Sequence, residues 1–274
     1  MIFGRVNQRF NPTFNIRKWK HHVMFKKDSF GYYIFLKKLV TRFVGLISYP
    51  GFNWFNKTEI QGSAVFKELP ASKVLIVSNH QTYFADAAAI THIIHASVMG
   101  KFNTLRFPGF LLRPKTSVFA IAADETMKKG LIPNIMRYAG AITVKRTWRA
   151  KGENVKRELD RKDPDSIGKA LDEGWVISFP QGTTTPFAPG RKGTAHIIKE
   201  YQPIVIPVVI DGFRRAFDKK GLIFKKKRSI LKVDVKEPID IDYSAPVDVI
   251  MKQIMDAIGQ SSQFDKVAKM IPGK

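Results

Sequence analysis

Cysteine is absent from this 274-residue sequence. Disulfide frameworks, thiolate zinc sites and cysteine nucleophiles are thereby excluded, and a reducing, cytosol-facing setting is expected. Acidic residues are scarce: 23 Asp and Glu face 46 Lys and Arg, a formal net charge of +23. That surplus points to a polyanionic partner, whether nucleic acid, an anionic membrane surface or an acidic protein. Long uncharged runs are missing too. The apolar stretch from Phe30 to Tyr49 is broken by Lys37, Lys38 and Arg42, so it falls short of the roughly 18 apolar residues of a spanning helix. Met1-Ile-Phe-Gly-Arg5 does not open a secretory pattern, and export is not expected. The chain has no internal repeat and no long linker. Its length suits one large domain or two small ones, with core enough to fold without covalent staples.

What is present begins with a basic, aromatic arm over residues 1–29, carrying Arg5, Arg9, Arg17, Lys18, Lys20, Lys26 and Lys27. Read as a helix, the following segment gathers Leu36, Val40, Phe43 and Ile47 on one face and Lys37, Lys38, Thr41, Arg42 and Gly45 on the other. With Phe52, Trp54 and Phe55 after it, this is the pattern of an interfacial helix; a helix packed on the domain core is the alternative. A turn is expected at Tyr49-Pro-Gly-Phe. Strands are then expected near Glu59–Phe66, Lys73–Ser78, Ser117–Ala122, Ala141–Lys145, Trp175–Phe179, Ile204–Ile210 and Leu231–Val235. Helices are expected near Thr82–Ala96, Ile132–Tyr138, Asp165–Asp172, Thr194–Tyr201 and Val247–Ile258. Strands alternating with helices argue for an α/β layer architecture. Pro207, inside an apolar run, argues for an edge or interrupted strand. Residues 213–232 hold nine Lys or Arg against the single acid Asp218, a second basic patch.

One stretch stands out. Val74-Leu-Ile-Val-Ser-Asn-His80 is an apolar strand ending in a histidine, with Asp86 shortly after. Catalytic groups collect where buried parallel strands end. An imidazole at such an end can take a proton from a hydroxyl at neutral pH, and a carboxylate on its other nitrogen fixes the tautomer. Three further stretches follow in order: Gly140-Ala-Ile-Thr-Val-Lys-Arg146, Phe179-Pro-Gln-Gly-Thr-Thr-Thr185 and Val205-Ile-Pro-Val-Val209. Alone, Lys145 and Arg146 read as a solvated strand end, Thr183 to Thr185 as a hydroxyl-rich turn, His92 and His95 as packing or surface residues, and Asp124-Glu125 as a solvated loop. His21, His22 and His196 show no metal-ligand spacing, and no metal site is expected.

Together, from about Ser78 to Gly212, the four stretches resemble the motif blocks of the PlsC-like glycerophospholipid acyltransferases, best known as 1-acylglycerol-3-phosphate acyltransferases. The resemblance implies a mixed, largely parallel sheet flanked by helices; the simplest partition of the chain is an acyltransferase domain at residues 57–274 behind an N-terminal membrane element, the basic arm and interfacial amphipathic helix of residues 1–56. It implies a catalytic dyad of His80 and Asp86. It implies acceptor contacts from Lys145, Arg146, Gln181, Gly182, Thr183 and Thr184, joined by Arg191 and Lys192 of the Pro189-Gly-Arg-Lys-Gly193 stretch.

Two departures bear on this. Five residues rather than four separate His80 from Asp86. On a regular helix the family's spacing turns the two side chains about 140° apart and this one about 120°. Neither shares a face, so the pair must close across a turn between strand and helix, which has room for one more residue. The second departure is Gln181-Gly-Thr-Thr184 where the family has Glu-Gly-Thr-Arg, removing a charged acceptor contact. Either a lysolipid with a different head, such as a monoacylated aminolipid, is therefore expected in place of lysophosphatidic acid, or a phosphate held by other cations, for which Lys145, Arg146, Arg191 and Lys192 are available.

The expected reaction is direct acyl transfer to a lysolipid hydroxyl, as in lipid biosynthesis and phospholipid metabolism. The donor substrate is a thioester of acyl carrier protein or of coenzyme A, with no further cofactor. The expected place is the cytoplasmic face of an anionic membrane, held peripherally or monotopically. The alternatives are a 1-acylglycerol-3-phosphate acyltransferase proper, an inactive lipid-binding relative, or a nucleic-acid-binding protein, although no nucleic-acid motif is present and no nucleic-acid partner is expected.

Overall fold

Val74–Ser78 is buried at all five positions, which requires that both faces of its sheet be covered. A computed structural model shows how. It describes residues 26–106, 108–115, 117–127, 130–145, 149–150, 153–154 and 162–265. In chain order these form α1 (Ile34–Asn53), β1 (Lys57–Gln61), α2 (Val65–Glu68), β2 (Val74–Ser78), α3 (Ala85–Val98), β3 (Val118–Ala123), α4 (Leu131–Tyr138) and β4 (Ala141–Val144). The small hairpin strands β5 (Arg149–Ala150) and β6 (Glu153–Asn154) come next, then α5 (Lys162–Glu173), β7 (Trp175–Ser178), α6 (Lys192–Tyr201), β8 (Ile204–Asp211), α7 (Phe213–Ala216), β9 (Ile230–Val235) and α8 (Val247–Ala257).

Seven strands make one sheet in the order β1-β9-β8-β2-β7-β3-β4. All neighbours run parallel except the antiparallel pair β8 and β9. Period-two alternation sends β2 side chains to opposite faces. Val74 and Ile76 join a core with Tyr49 and Phe52 of α1 and Ile90, Ile93 and Ile94 of α3. Leu75 and Val77 join the opposite core with Ile167 of α5, Ile198 of α6 and Ile254 of α8.

Local sequence and tertiary packing disagree at four places. The first strand ends at Gln61 rather than Phe66, because Gly62 turns to φ +68° with no room for a side chain against the Val235 carbonyl; α2 follows. No turn forms at Tyr49-Pro50, and α1 continues to Asn53. Tyr49 explains this: its buried hydroxyl donates to Leu105 O at 2.6 Å and accepts from Asn53 Nδ2 at 2.9 Å, holding the last turn helical. Of the edge or interrupted strand expected at Pro207, the edge is not found, since β8 is interior, and the interruption is. Its carbonyl accepts from Lys236 N at 2.9 Å, while the ladder to β9 begins only at Val208, so its missing donor falls where that ladder is interrupted.

The fourth concerns α1. The helical wheel sets Lys37 on a solvated polar face, yet it is 1% exposed. Asp28 meets its ammonium at 2.8 Å and the Phe119 ring lies beneath it at 4.2 Å. Gly45, Tyr49 and Phe52 are also buried, whereas Phe35, Leu39, Phe43, Leu46 and Ile47 form an exposed apolar stripe. No helix among the described residues is long and apolar enough to cross a membrane.

Candidate active site

The sheet order sets β2 between β8 and β7, all three parallel, so their C-terminal ends emerge side by side, where α/β proteins build their sites. Asn79 clamps the end of β2. Its amide donates to Ile210 O at 2.9 Å and accepts from Ile210 N at 2.8 Å, which fixes where the next residue, His80, leaves the sheet.

His80 stacks on the Phe179 ring, centroids 4.0 Å apart, and its Nδ1 lies 3.0 Å from Asp86 Oδ2. Residues 81–84 form a bend and α3 starts at Ala85, so Asp86 sits in the first helical turn, where a carboxylate is favoured by the helix dipole. The extra residue is absorbed in that bend. Asp86 is 0% exposed. Its Oδ2 accepts from Gln81 N at 2.5 Å and Thr82 N at 2.9 Å, and its Oδ1 from the Thr82 hydroxyl at 2.7 Å. A carboxylate gripped by these donors is an acceptor toward the imidazole too. Nδ1 therefore carries the proton, and Nε2 keeps its lone pair.

The ring borders a cavity of about 900 Å³, walled by Val44 of α1, Ala88 of α3, Ala120 of β3 and Ile135 of α4 among others. This volume suits a ligand-sized apolar guest. Gly182, Thr183, Arg191, Lys192 and Lys145 share the lining with His80. Lys145 donates its backbone N–H to Asp163 Oδ2 at 2.7 Å, and Lys192 pairs with Asp248 at 2.9 Å. Arg146 lies outside the described residues.

Gln181 and Thr184 do not take the places expected of acceptor contacts. Gln181 is buried, and its amide nitrogen is spent on Ala188 O at 3.0 Å and Gln260 Oε1 at 3.1 Å. It orders the 181–190 loop instead of facing the cavity. Thr184 offers its carbonyl to the guanidinium of Arg214. Arg214, in α7 just after β8, also bonds the dyad turn, its backbone N–H donating to Gln81 Oε1 at 3.2 Å. Sequence reading placed Arg214 only within a long basic patch. No local signal distinguishes it from its eight cationic neighbours, because its position depends on β8 lying next to β2.

His92 and His95 of α3 also line the cavity and are buried. His92 Nε2 lies 2.8 Å from Ser48 Oγ, and His95 Nε2 donates to Lys115 O at 3.3 Å. Burial, assisted by His95 for His92, pushes their pKa values from 6.5 down to about 3 and about 4 respectively. Both stay neutral in the fold but take up protons near pH 6.5 when unfolded, so they contribute stability that is present above pH 6.5 and lost as pH falls toward 4. Each is expected to remove up to about 1.4 kcal/mol per pH unit in that window. Urea unfolding from pH 7 to pH 4.5 checks this, and His92→Gln should flatten the slope.

Known proteins share the family and the fold of this chain. The family model described as Acyltransferase matches residues 57–211, more than half of the chain. No curated protein matches. Among solved structures the chain is similar to the 1-acyl-sn-glycerophosphate (LPA) acyltransferase PlsC from Thermotoga maritima, at 16% identity and a TM-score of 0.54, covering 87% of this chain and 82% of that one. That likeness is one of fold: the mixed, mostly parallel sheet flanked by helices. The chain thus belongs to the acyltransferase family, an enzyme built on the PlsC-like fold.

Proposed function

We propose that this acyltransferase moves a fatty acyl chain from a thioester of acyl carrier protein or coenzyme A to the hydroxyl of a lysolipid, at the cytoplasmic face of an anionic membrane. The observation that carries the reading is the His80–Asp86 pair on the wall of a large apolar cavity. In the reaction, Nε2 of His80 takes the proton from the acceptor hydroxyl as its oxygen attacks the thioester carbonyl carbon. The tetrahedral adduct collapses, the C–S bond breaks, and the imidazolium returns the proton to the departing thiolate. Asp86 holds the tautomer and stabilises the imidazolium. The cavity accommodates the aliphatic chain. The exposed stripe of α1, two of whose residues, Phe43 and Ile47, also border the cavity, would lie in the interfacial plane with the net positive charge drawing the protein to anionic lipid.

The acceptor's head is read from the cations. A neutral 181–184 segment by itself favours a lyso-aminolipid, but Arg214 restores a guanidinium beside Thr184, and Arg191, Lys192 and Lys145 border the cavity. This set favours an acidic head, the phosphate of lysophosphatidic acid or the carboxylate of a monoacylated aminolipid. Transfer of a labelled acyl chain from each donor to a panel of these lysolipids tests the reading; hydrolysis alone, with no transfer to any hydroxyl, would defeat it. Arg214→Ala is expected to raise KM for the preferred acceptor about tenfold, the loss of about 1.4 kcal/mol, and to leave kcat nearly unchanged.

A further inference from the structure

The turn between α7 and β9 supplies no catalytic group, although Gly221, Leu222 and Phe224 border the cavity, and it is built with unusual care for an exposed segment. Asp218 Oδ1 accepts from Leu222 N at 2.8 Å and Ile223 N at 3.0 Å, while Asp218 N donates to Ile223 O at 2.8 Å. Phe217 and Phe224 close it with a bridge. This frame holds two aliphatic side chains in water: Leu222 is 44% exposed and Ile223 67%. Lys219 and Lys220 precede them and Lys225, Lys226, Lys227 and Arg228 follow, all exposed.

The inner side of the turn is tied to two other places. Phe224 packs on Phe55, ring centroids 5.1 Å apart, and against Gly51 of α1. Lys219 O and Lys220 O accept the backbone N–H groups of Tyr83 and Phe84 at 3.0 and 2.9 Å, within the bend that closes the dyad. Gly221, at φ +78°, lies so close to that bend that a Cβ would sit 2.6 Å from Ala85 N.

We infer that the Asp218–Phe224 turn is a second membrane-inserting element. Leu222 and Ile223 enter the acyl region of an anionic leaflet beside the α1 stripe and the exposed Trp54, and the flanking lysines meet the lipid phosphates. Two aliphatics at a tip are too few for a protein interface, which needs about 800 Å² per partner. Aliphatics ringed by Lys and Arg, whose stems follow apolar surface while their heads stay at the phosphates, suit the membrane boundary. Because the same turn is bonded to the 81–84 bend, its depth sets the height of the dyad above the leaflet. The inference rests on the membrane-bound reading above.

The absence of cysteine makes the test clean. Single-cysteine variants Ile223→Cys on the turn, Leu46→Cys on α1 and Lys252→Cys on α8, at the opposite face of the sheet, are each labelled with an environment-sensitive fluorophore. They are mixed with phosphatidylcholine vesicles with or without phosphatidylglycerol. The labels at 223 and 46 are expected to shift blue and escape an aqueous quencher on phosphatidylglycerol vesicles, and the label at 252 to do neither. A label at 46 that is buried while 223 stays quenchable would overturn the inference and leave the membrane reading standing; if neither is buried, both fall. Burial at 223 only on adding acyl carrier protein, without vesicles, would make the turn a carrier contact and also overturn it. Ile223→Asp is expected to weaken vesicle binding about tenfold with turnover of a water-soluble short-chain acceptor unchanged; unaltered binding would count against insertion.

Discussion

Replacement of His80 by alanine is expected to lower kcat/KM for acyl transfer by about 10³-fold or more. A positioned general base contributes on the order of 10² to 10⁴, and His80 is the imidazole that a carboxylate orients at the end of β2. His92 and His95 also border the cavity, but each is buried, with Nε2 engaged by Ser48 and by the Lys115 carbonyl respectively. The variant should fold, because His80 contributes one stacked contact with Phe179 and one hydrogen bond to Asp86. Circular dichroism and vesicle co-sedimentation report an intact, membrane-competent protein, and a labelled thioester reports turnover. Near-normal transfer by this variant would sink the base assignment.

At Asp86 the two informative substitutions should part company. Asp86→Ala strips the acceptor from Gln81 N, Thr82 N and the Thr82 hydroxyl inside a fully buried site. Each orphaned donor costs about 1–3 kcal/mol, so a loss of about 3–5 kcal/mol in urea unfolding is expected. Asp86→Asn is gentler on the fold. An amide oxygen in the place of Oδ2 still accepts from Gln81 N, Thr82 N and His80 Nδ1, and the amide nitrogen can donate to the Thr82 hydroxyl, which serves as donor or acceptor. What the amide lacks is the negative charge that steadies the imidazolium. The expected result is a fall of about 10² to 10³-fold in kcat with stability within about 2 kcal/mol of the parent. An Asp86→Asn enzyme with undiminished kcat would show that the carboxylate is a structural clamp on the bend and nothing more.

How far the sequence alone reached differs from residue to residue. The strand ending in His80 was legible because an uninterrupted apolar run needs cover on both faces, and the site that follows such a strand is a general property of parallel sheets. The His80 to Asp86 spacing looked awkward on a helical ruler, but the two residues are near neighbours in the chain and a bend brings them together at 3.0 Å. Lys37 departs from its helical wheel for the opposite reason. A helical wheel sees only one helix, and the burial of that ammonium depends on Asp28 and Phe119 reaching it from outside. Gln181 belongs to a motif whose next residues, Gly182 and Thr183, do line the cavity, but its own amide is claimed by Gln260, 79 positions away.

The sequence by itself determined the α/β class, the histidine and carboxylate at a strand end, the exclusion of thiol chemistry and the surplus of cations, since each follows from residue type or from spacing over a few positions. Only the tertiary structure decided which cation stands beside Thr184, where the Lys37 ammonium of α1 goes, and which basic turn leans on the dyad. Those outcomes depend on β8 and β7 flanking β2 and on α1 packing against α3. Contacts between segments distant in the chain are chosen by how their surfaces fit once both cores have formed, and no local pattern records that choice.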